Sequence, residues 1–222
     1  MKKLIIMVLL LVTSFGFVGA VELNKESRDP KYVASIVGRS QKIVDKLGIA
    51  DVKQAQEVCN IIANRYFELN DIYETRDAKV KEIKDLGTTG EAKSNALKAA
   101  ENEKESALYR SHFAFPAALS LVLTPEQIEA VKDGMTYGVV KVTYDSHLDM
   151  IPSLTQEEKA QIKAWLIEAR EFAMDAENSN KKHEAFGKYK GRINNYLAKR
   201  GYNLTKEREE WYKRIKAREA KK

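Results

Sequence analysis

Residues 51–86 read DVKQAQEVCNIIANRYFELNDIYETRDAKVKEIKDL. Asp51 has the form of a helix cap, and apolar or aromatic residues then recur in alternating steps of three and four, from Val52, Ala55, Cys59 and Ile62 through Tyr66, Leu69 and Tyr73 to Val80 and Ile83. Arg76 is the one polar interruption, so the spacing predicts a single long helix with a coiled-coil-like seam. Gly87-Thr88-Thr89-Gly90 ends it, and Thr88 with Glu91 three residues on has the form of a capping box for a second arm. Inward positions of that arm are small at first (Ala96, Ala99, Ala100, Ala107) and large after Leu108 (Phe113, Phe115, Leu119, Val122), which lets the two helices approach closely. An antiparallel hairpin over 51–122 follows, roughly 35 residues or 50 Å per arm at 1.5 Å per residue. Pro116 should kink or end a helix near Ala114.

Outward from the hairpin the helical grammar continues. On the N-terminal side, Asp29-Pro30 reads as a cap followed by proline at the first helical position, and Val33, Ile36, Val37, Val44 and Leu47 keep helical spacing until Gly48. On the C-terminal side the spacing predicts helices near 125–136, 156–177, 182–200 and 206–219. Three begin with related pentapeptides: LTPEQ at Leu123, LTQEE at Leu154 and LTKER at Leu204. Thr124 with Gln127, and Thr155 with Glu158, form capping boxes; Leu123 can staple to Ile128. In the third copy only half the box survives, because Arg208 cannot accept a hydrogen bond. Between these helices, MTYGVVKVTYDSHLDMIPS (135–153) is rich in β-formers bounded by glycine and Pro152, and reads as an irregular segment with a short extended piece. No second strand signal accompanies it. The expected fold is all-α: one domain over 21–222, with the long hairpin at 51–122 and shorter helices at 123–222.

The first twenty residues have the pattern of a secretory leader: Lys2 and Lys3, an apolar run from Leu4 to Val12, and small residues at Gly19 and Ala20 suited to cleavage after Ala20. Val21 and Glu22 follow, so there is no cysteine for a lipid anchor, and no later stretch has the roughly 20 apolar residues of a membrane span. A periplasmic or secreted protein is expected. Cys59 has no second cysteine to pair with and reads as a buried small apolar residue. The chain carries a net charge of +6, and Lys181–Lys222 contains fifteen Lys and Arg against five Glu. Such a segment could meet anionic sugars, lipid headgroups or nucleic acid. Its acids are interleaved, as in KEREEWYKRIKAREAKK, which favours an ordinary solvated helix, and no nucleic-acid partner is expected.

Chemistry is sparsely signalled. His112, His147 and His183 lack metal-ligand spacing, and there is no phosphate loop or nucleophile elbow, so no metal or cofactor is expected. Asp145 and Asp149 invite a glycosidase reading, which needs two carboxylates flanking one bond. A sugar site needs flat aromatic faces and planar polar groups. Tyr137, Tyr144, Asp145, His147 and Asp149 are candidates in the irregular segment, and Lys188, Tyr189, Arg192 and Asn195 on the helix beyond Lys181. Tyr189 and Tyr196 also share the inward stripe of Phe186, Ile193 and Leu197, the more ordinary role for a tyrosine. Gly187 and Gly191, one turn apart, should admit another backbone. Trp165 reads as core with Ile162, Leu166, Ala169, Phe172 and Ala173, and Trp211 either as a C-terminal anchor or as a partner contact.

DGMTYGV (133–139), LDMIPSLT (148–155), REFAMDA (170–176) and FGKYKGRINNYL (186–197) resemble a family of exported helical proteins from glycan-degrading gut bacteria, a domain of unknown function described as sugar-binding. The resemblance implies a non-enzymatic protein that binds an oligosaccharide in glycan utilisation, and it brings no catalytic residues. The paired Leu-Thr-x-x-Gln motifs also resemble those of the Spy and CpxP periplasmic chaperones, with Glu158 in place of the second glutamine. That resemblance implies a chaperone or envelope-stress module as the alternative; an enzyme acting on glycosides is third. The hairpin seam leaves a homo-oligomer open.

Overall fold

The computed structural model describes residues 21–87 and 89–220. The expected leader (1–20) and Thr88, with its expected capping box, lie outside them. The chain forms α1 (Pro30–Val44), α2 (Val52–Asp85), α3 (Gly90–His112), α4 (Ala114–Ser120), α5 (Pro125–Met135), α6 (Val139–Met150), α7 (Gln156–Met174), α8 (Ser179–Lys199) and α9 (Leu204–Glu219). No strand occurs among the described residues, so the fold is all-α. No described helix is long and apolar enough to cross a membrane.

Caps set most of the helix starts. Asp29 accepts from the amides of Lys31 and Tyr32, and Asp51 from those of Lys53 and Gln54. Both expected capping boxes are complete: Thr124 and Gln127 exchange bonds of 3.1 and 3.3 Å, and Thr155 and Glu158 bonds of 2.9 and 3.2 Å. Leu123 is buried, with Ile128 packed against the same cluster. The third pentapeptide behaves differently. α9 starts two residues early, and the side chain of Asn203, not Thr205, caps it by accepting from Lys206 N at 3.1 Å.

α2 and α3–α4 form the antiparallel hairpin, as its cross-links show: Gln54 Nε2 donates to Val122 O at 2.5 Å, Arg65 Nη1 to Ser111 Oγ at 2.8 Å, and Lys79 pairs with Glu103. Cys59 and Ile62 are fully buried, while the seam from Tyr73 to Ile83 is half-buried and Val52 is exposed. The second arm breaks at Phe113, which puts Pro116 in the first turn of α4, where its missing N–H costs no helical bond. Phe113 and Ala99 point outward, contrary to expectation, whereas Phe115 and Leu119 lie in the core as expected.

Two main hydrophobic cores result. The first joins α1, α2, α4 and α5 through Ile43, Val58, Ile62, Leu119 and Val131. A close approach of α5 to α1 requires Gly134, whose Cβ would lie 2.9 Å from the Ile43 side chain. The second core joins α6, α7 and α8 through Val140, Ile162, Leu166, Phe186, Ile193 and Leu197, with Tyr202 and Leu204 packed against it.

The segment expected to be irregular is the helix α6. Tyr137 (φ 61°) and Gly138 (φ 65°) make a left-handed turn out of α5, and Val140, Thr143 and His147 then fall on one buried face. Burial of that face outweighs the β preference of the individual valines, which is worth under about 1 kcal/mol per residue. The expectation for Gly187 and Gly191 also fails: nothing lies within 4 Å of either Cβ position, and both are exposed on the outer face of α8.

Candidate functional site

α7 and α8 lie side by side, with the aliphatic residues of the second core between them. One step around each helix from that core the side chains are aromatic and not fully covered. Phe172 stacks on Tyr189 at 6.3 Å with an interplanar angle of 29°, and Trp165 meets Tyr196 edge-on at 5.1 Å. Arg192 bridges the two pairs, its guanidinium 4.5 Å from the Trp165 ring centre and 5.9 Å from that of Tyr189. Arg200 extends the line, 4.9 Å over Tyr196. Arg192 Nη1 is held 3.4 Å from Glu168 Oε2. Burial, together with a hydrogen bond to the same carboxylate, pushes the Tyr189 hydroxyl up to about 12, so it remains a neutral donor at physiological pH. Phe172 is 63% exposed. The result is a strip of rings with planar cationic groups set among them, each held at an angle by its neighbours.

A second cluster lies where the two cores meet. Arg65, only 2% exposed, donates to Glu68 and Asp175 at 2.6 Å each, and His112 Nδ1 lies 2.6 Å from the other oxygen of Asp175. Arg170, equally buried, reaches Asp133 at 2.8 Å and also Glu129. Lys182 Nζ donates to Met135 O at 3.1 Å, and burial, reinforced by Arg39, pushes its ammonium down to about 8. Every ionic group here faces a counter-charge or a carbonyl, and Ser111 Oγ both accepts from Arg65 and donates to Leu108 O. Such an arrangement fixes the orientation of one core on the other. Among the described residues no group of three or more His, Cys, Asp or Glu side chains is placed to hold a metal.

An open groove of about 1230 Å³ runs along the α2–α3 seam, with Ile61, Ile72, Ala100, Ala107 and Phe115 in its floor and Arg76, Lys79, Glu103 and Arg110 on its rims. None of the nine candidate residues lines it.

Those nine are divided among several places. Tyr189 and Arg192 belong to the α7–α8 strip, and Lys188 and Asn195 are exposed on the same helix. Tyr137 stacks on His183 at 5.8 Å, near the start of α8. Tyr144 packs against the second core beneath the Lys163 ammonium, 5.2 Å away. Asp145 pairs with Lys141 on its own helix at 2.5 Å. His147 is buried, its Nδ1 2.7 Å from Thr143 O, and desolvation lowers its pKa. Asp149 accepts from Trp211 Nε1 at 2.6 Å and from Arg218 at 2.8 Å, which makes Trp211 an anchor for α9; the Arg218 and Trp211 hydrogen bonds hold the carboxyl below its usual range. The α6 candidates therefore serve packing and tethering.

The sequence profile of DUF3826, described as a protein of unknown function, matches residues 33–217. The chain belongs to the DUF3826 family. No curated protein matches it. The matched span of DUF3826 contains both cores, the ionic junction, the α7–α8 strip and all but Asn24 of the groove residues. Within that span the sequence reading missed Trp165, Phe172 and Tyr196 as members of one strip, having assigned the first two to the core. A signal was there to find them: Trp165 and Phe172 stand seven residues apart, as do Tyr189 and Tyr196, and two turns on each of two antiparallel neighbours bring the pairs into register.

Proposed function

We propose that this protein is an exported, non-enzymatic carbohydrate-binding protein of a glycan-utilisation system, with the α7–α8 strip as its binding platform. One observation carries the reading: the Phe172 ring, largely in solvent, is stacked on Tyr189 in line with a guanidinium held over Trp165. A pyranose presents an apolar C–H face and an equatorial rim of hydroxyls. Flat rings suit the first, and a planar fork of N–H donors suits pairs of the second. An exposed phenylalanine gains little for folding, so its placement on the strip is better explained by a ligand that covers it. The resemblance of 133–197 to a family described as sugar-binding supports the same reading, and the sequence of residues 1–20 supports export.

Calorimetric titration and a glycan array covering plant and host oligosaccharides test it. The wild-type protein is expected to bind at least one oligosaccharide class. Phe172→Ala and Arg192→Ala should each weaken that binding by about tenfold, or 1.4 kcal/mol, without moving the melting temperature. A flat response from folded wild-type protein across the panel sinks the proposal.

A client-binding chaperone is the second reading, favoured by the apolar floor and charged rims of the α2–α3 groove. Suppression of aggregation of an unrelated unfolded protein, abolished by Ala107→Trp and unaffected by Phe172→Ala, would move the function to the groove.

A further inference from the structure

Ahead of α1, the chain runs as a strap along α2, and α2 meets it with a row of polar side chains spaced for one helix face. Asn60 Nδ2 donates to Val21 O at 2.9 Å, and Asn64 Nδ2 to Glu22 O at 2.8 Å, while Asn64 Oδ1 accepts from Asn24 N at 2.8 Å. Further along, Arg28 makes a two-pronged ion pair with Asp71 at 2.6 and 2.7 Å and closes back on Asn24 O at 3.0 Å. Val21 and Leu23 place their side chains against hydrophobic clusters. At the start of this row stands a carboxylate: Val21 N lies 3.3 Å from Glu57 Oε1 in a partly buried setting.

Glu57, Asn60, Asn64 and Asp71 follow one another at intervals of three, four and seven, so a single face of α2 recognises the strap. The amide side chains are neutral and match neutral backbone groups. Of the two carboxylates, Asp71 faces the Arg28 guanidinium, whereas Glu57 faces a backbone nitrogen. Against an amide N–H it makes one ordinary hydrogen bond, but against an amine it has a counter-ion. An α-amino group has a pKa near 7.7–8.0 and is largely protonated at neutral pH. The leader pattern puts the scissile bond between Ala20 and Val21, directly at this nitrogen.

We propose that Glu57 is the receptor for the new N-terminus: cleavage after Ala20 converts Val21 N from an amide to an ammonium, and the Glu57 carboxylate captures it and completes the strap. In that step a leader peptidase adds water across the Ala20–Val21 peptide bond. The C–N bond breaks, Ala20 leaves with the hydroxyl as a carboxylate, and Val21 keeps the nitrogen and takes up protons. The proposal rests on the export part of the functional reading and is independent of what the α7–α8 strip binds.

Two measurements test it. The full-length chain is expressed in a bacterium with an intact export pathway, and the intact mass of the recovered protein is expected to correspond to a chain beginning at Val21. Denaturant unfolding is then compared in four proteins: the Val21-terminated form and a form carrying Gly-Ser-Ala ahead of Val21, each with and without Glu57→Gln. In the Val21-terminated form Glu57→Gln should lower the folded-to-unfolded ratio about three- to tenfold, as loss of a partly shielded ion pair does. In the extended form, where the nitrogen is an amide, the change should stay under about twofold. A mature N-terminus at another residue refutes the assigned cleavage, and equal effects of Glu57→Gln in the two forms refute the receptor role even if cleavage occurs as expected.

Discussion

The two cores use their aromatic side chains differently. Around α1, α2, α4 and α5 the aromatic residues Phe67 and Phe115 are buried outright, and the aliphatic residues close over them. Around α6–α8 the aliphatic residues and Phe186 are buried, but four further aromatic residues are left along the α7–α8 seam with faces or edges toward solvent. Burial of apolar area drives folding at roughly 25 cal/mol per Å², so rings left half outside forgo part of what they could contribute. The first core is thus organised for stability, and the second gives up some stability to keep a surface.

The sharpest test of that contrast sets one residue from each region side by side. Leu119 is fully buried in the first core, and truncation there removes transfer energy and leaves a cavity. Leu119→Ala should cost about 3 kcal/mol in urea unfolding. Phe172→Ala, which removes a larger side chain, should cost under about 0.5 kcal/mol because its ring is mostly in water already. Similar costs for the two would erase the distinction between a core and a platform.

The junction between the regions offers a test with the opposite sign. Lys182 is 5% exposed and faces Arg39 of α1, Arg65 and Tyr66 of α2, and Asp175 beyond α7. Its pKa falls to about 8 in the folded protein from an ordinary 10.5, so between those values the unfolded chain binds more protons. Stability therefore rises with pH across about 8 to 10.5, and below 8 the full cost of keeping this ammonium buried is present. A shift of that size corresponds to at most about 3 kcal/mol. Lys182→Met should therefore stabilise the protein by about 2 kcal/mol at pH 7, allowing for the lost bond to Met135 O. It should also remove the rise on the alkaline side. Chemical denaturation at pH 7 and pH 10 checks both; a destabilised Lys182→Met at pH 7 would mean that the ammonium holds the two cores together.

Much of the architecture was legible because it depends on local chemistry. The three- and four-residue spacing of α2, the Asp caps and the two Thr boxes each specify a helix within a few residues of sequence. α6 was not legible, because Val139, Val140 and Val142 prefer strands and only the face provided by α7 and α8 turns Val140, Thr143 and His147 into a helix stripe. The site was half legible for a similar reason. Tyr189 and Arg192 could be picked by residue type, but membership of the strip depends on which side of α7 faces α8, and Trp165 and Phe172 show the same spacing whether buried or bare. Asp149 and Trp211, 62 residues apart, meet through a contact between α6 and α9 that no local pattern encodes.

The repeated pentapeptide provides the smallest test and ties the two regions together. Thr124 caps α5 in the first core and Thr155 caps α7 in the second, with the same bonds in each box, so Thr124→Ala and Thr155→Ala should each cost about 1 kcal/mol. Thr205→Ala should cost almost nothing, because Asn203 already caps α9, and Asn203→Ala should take its place in the series. One asymmetry separates the two boxes. Glu158 is buried, and its Oε2 also accepts from the Tyr202 hydroxyl at 2.7 Å, which links the start of α7 to the turn before α9. If that link is mechanical, Thr155→Ala will speed hydrogen exchange in α9 as well as in the first turn of α7, whereas Thr124→Ala will stay confined to α5. Confinement in both cases would show that the caps act alone, and that Asp149 with Trp211 is sufficient to hold α9 on the second core.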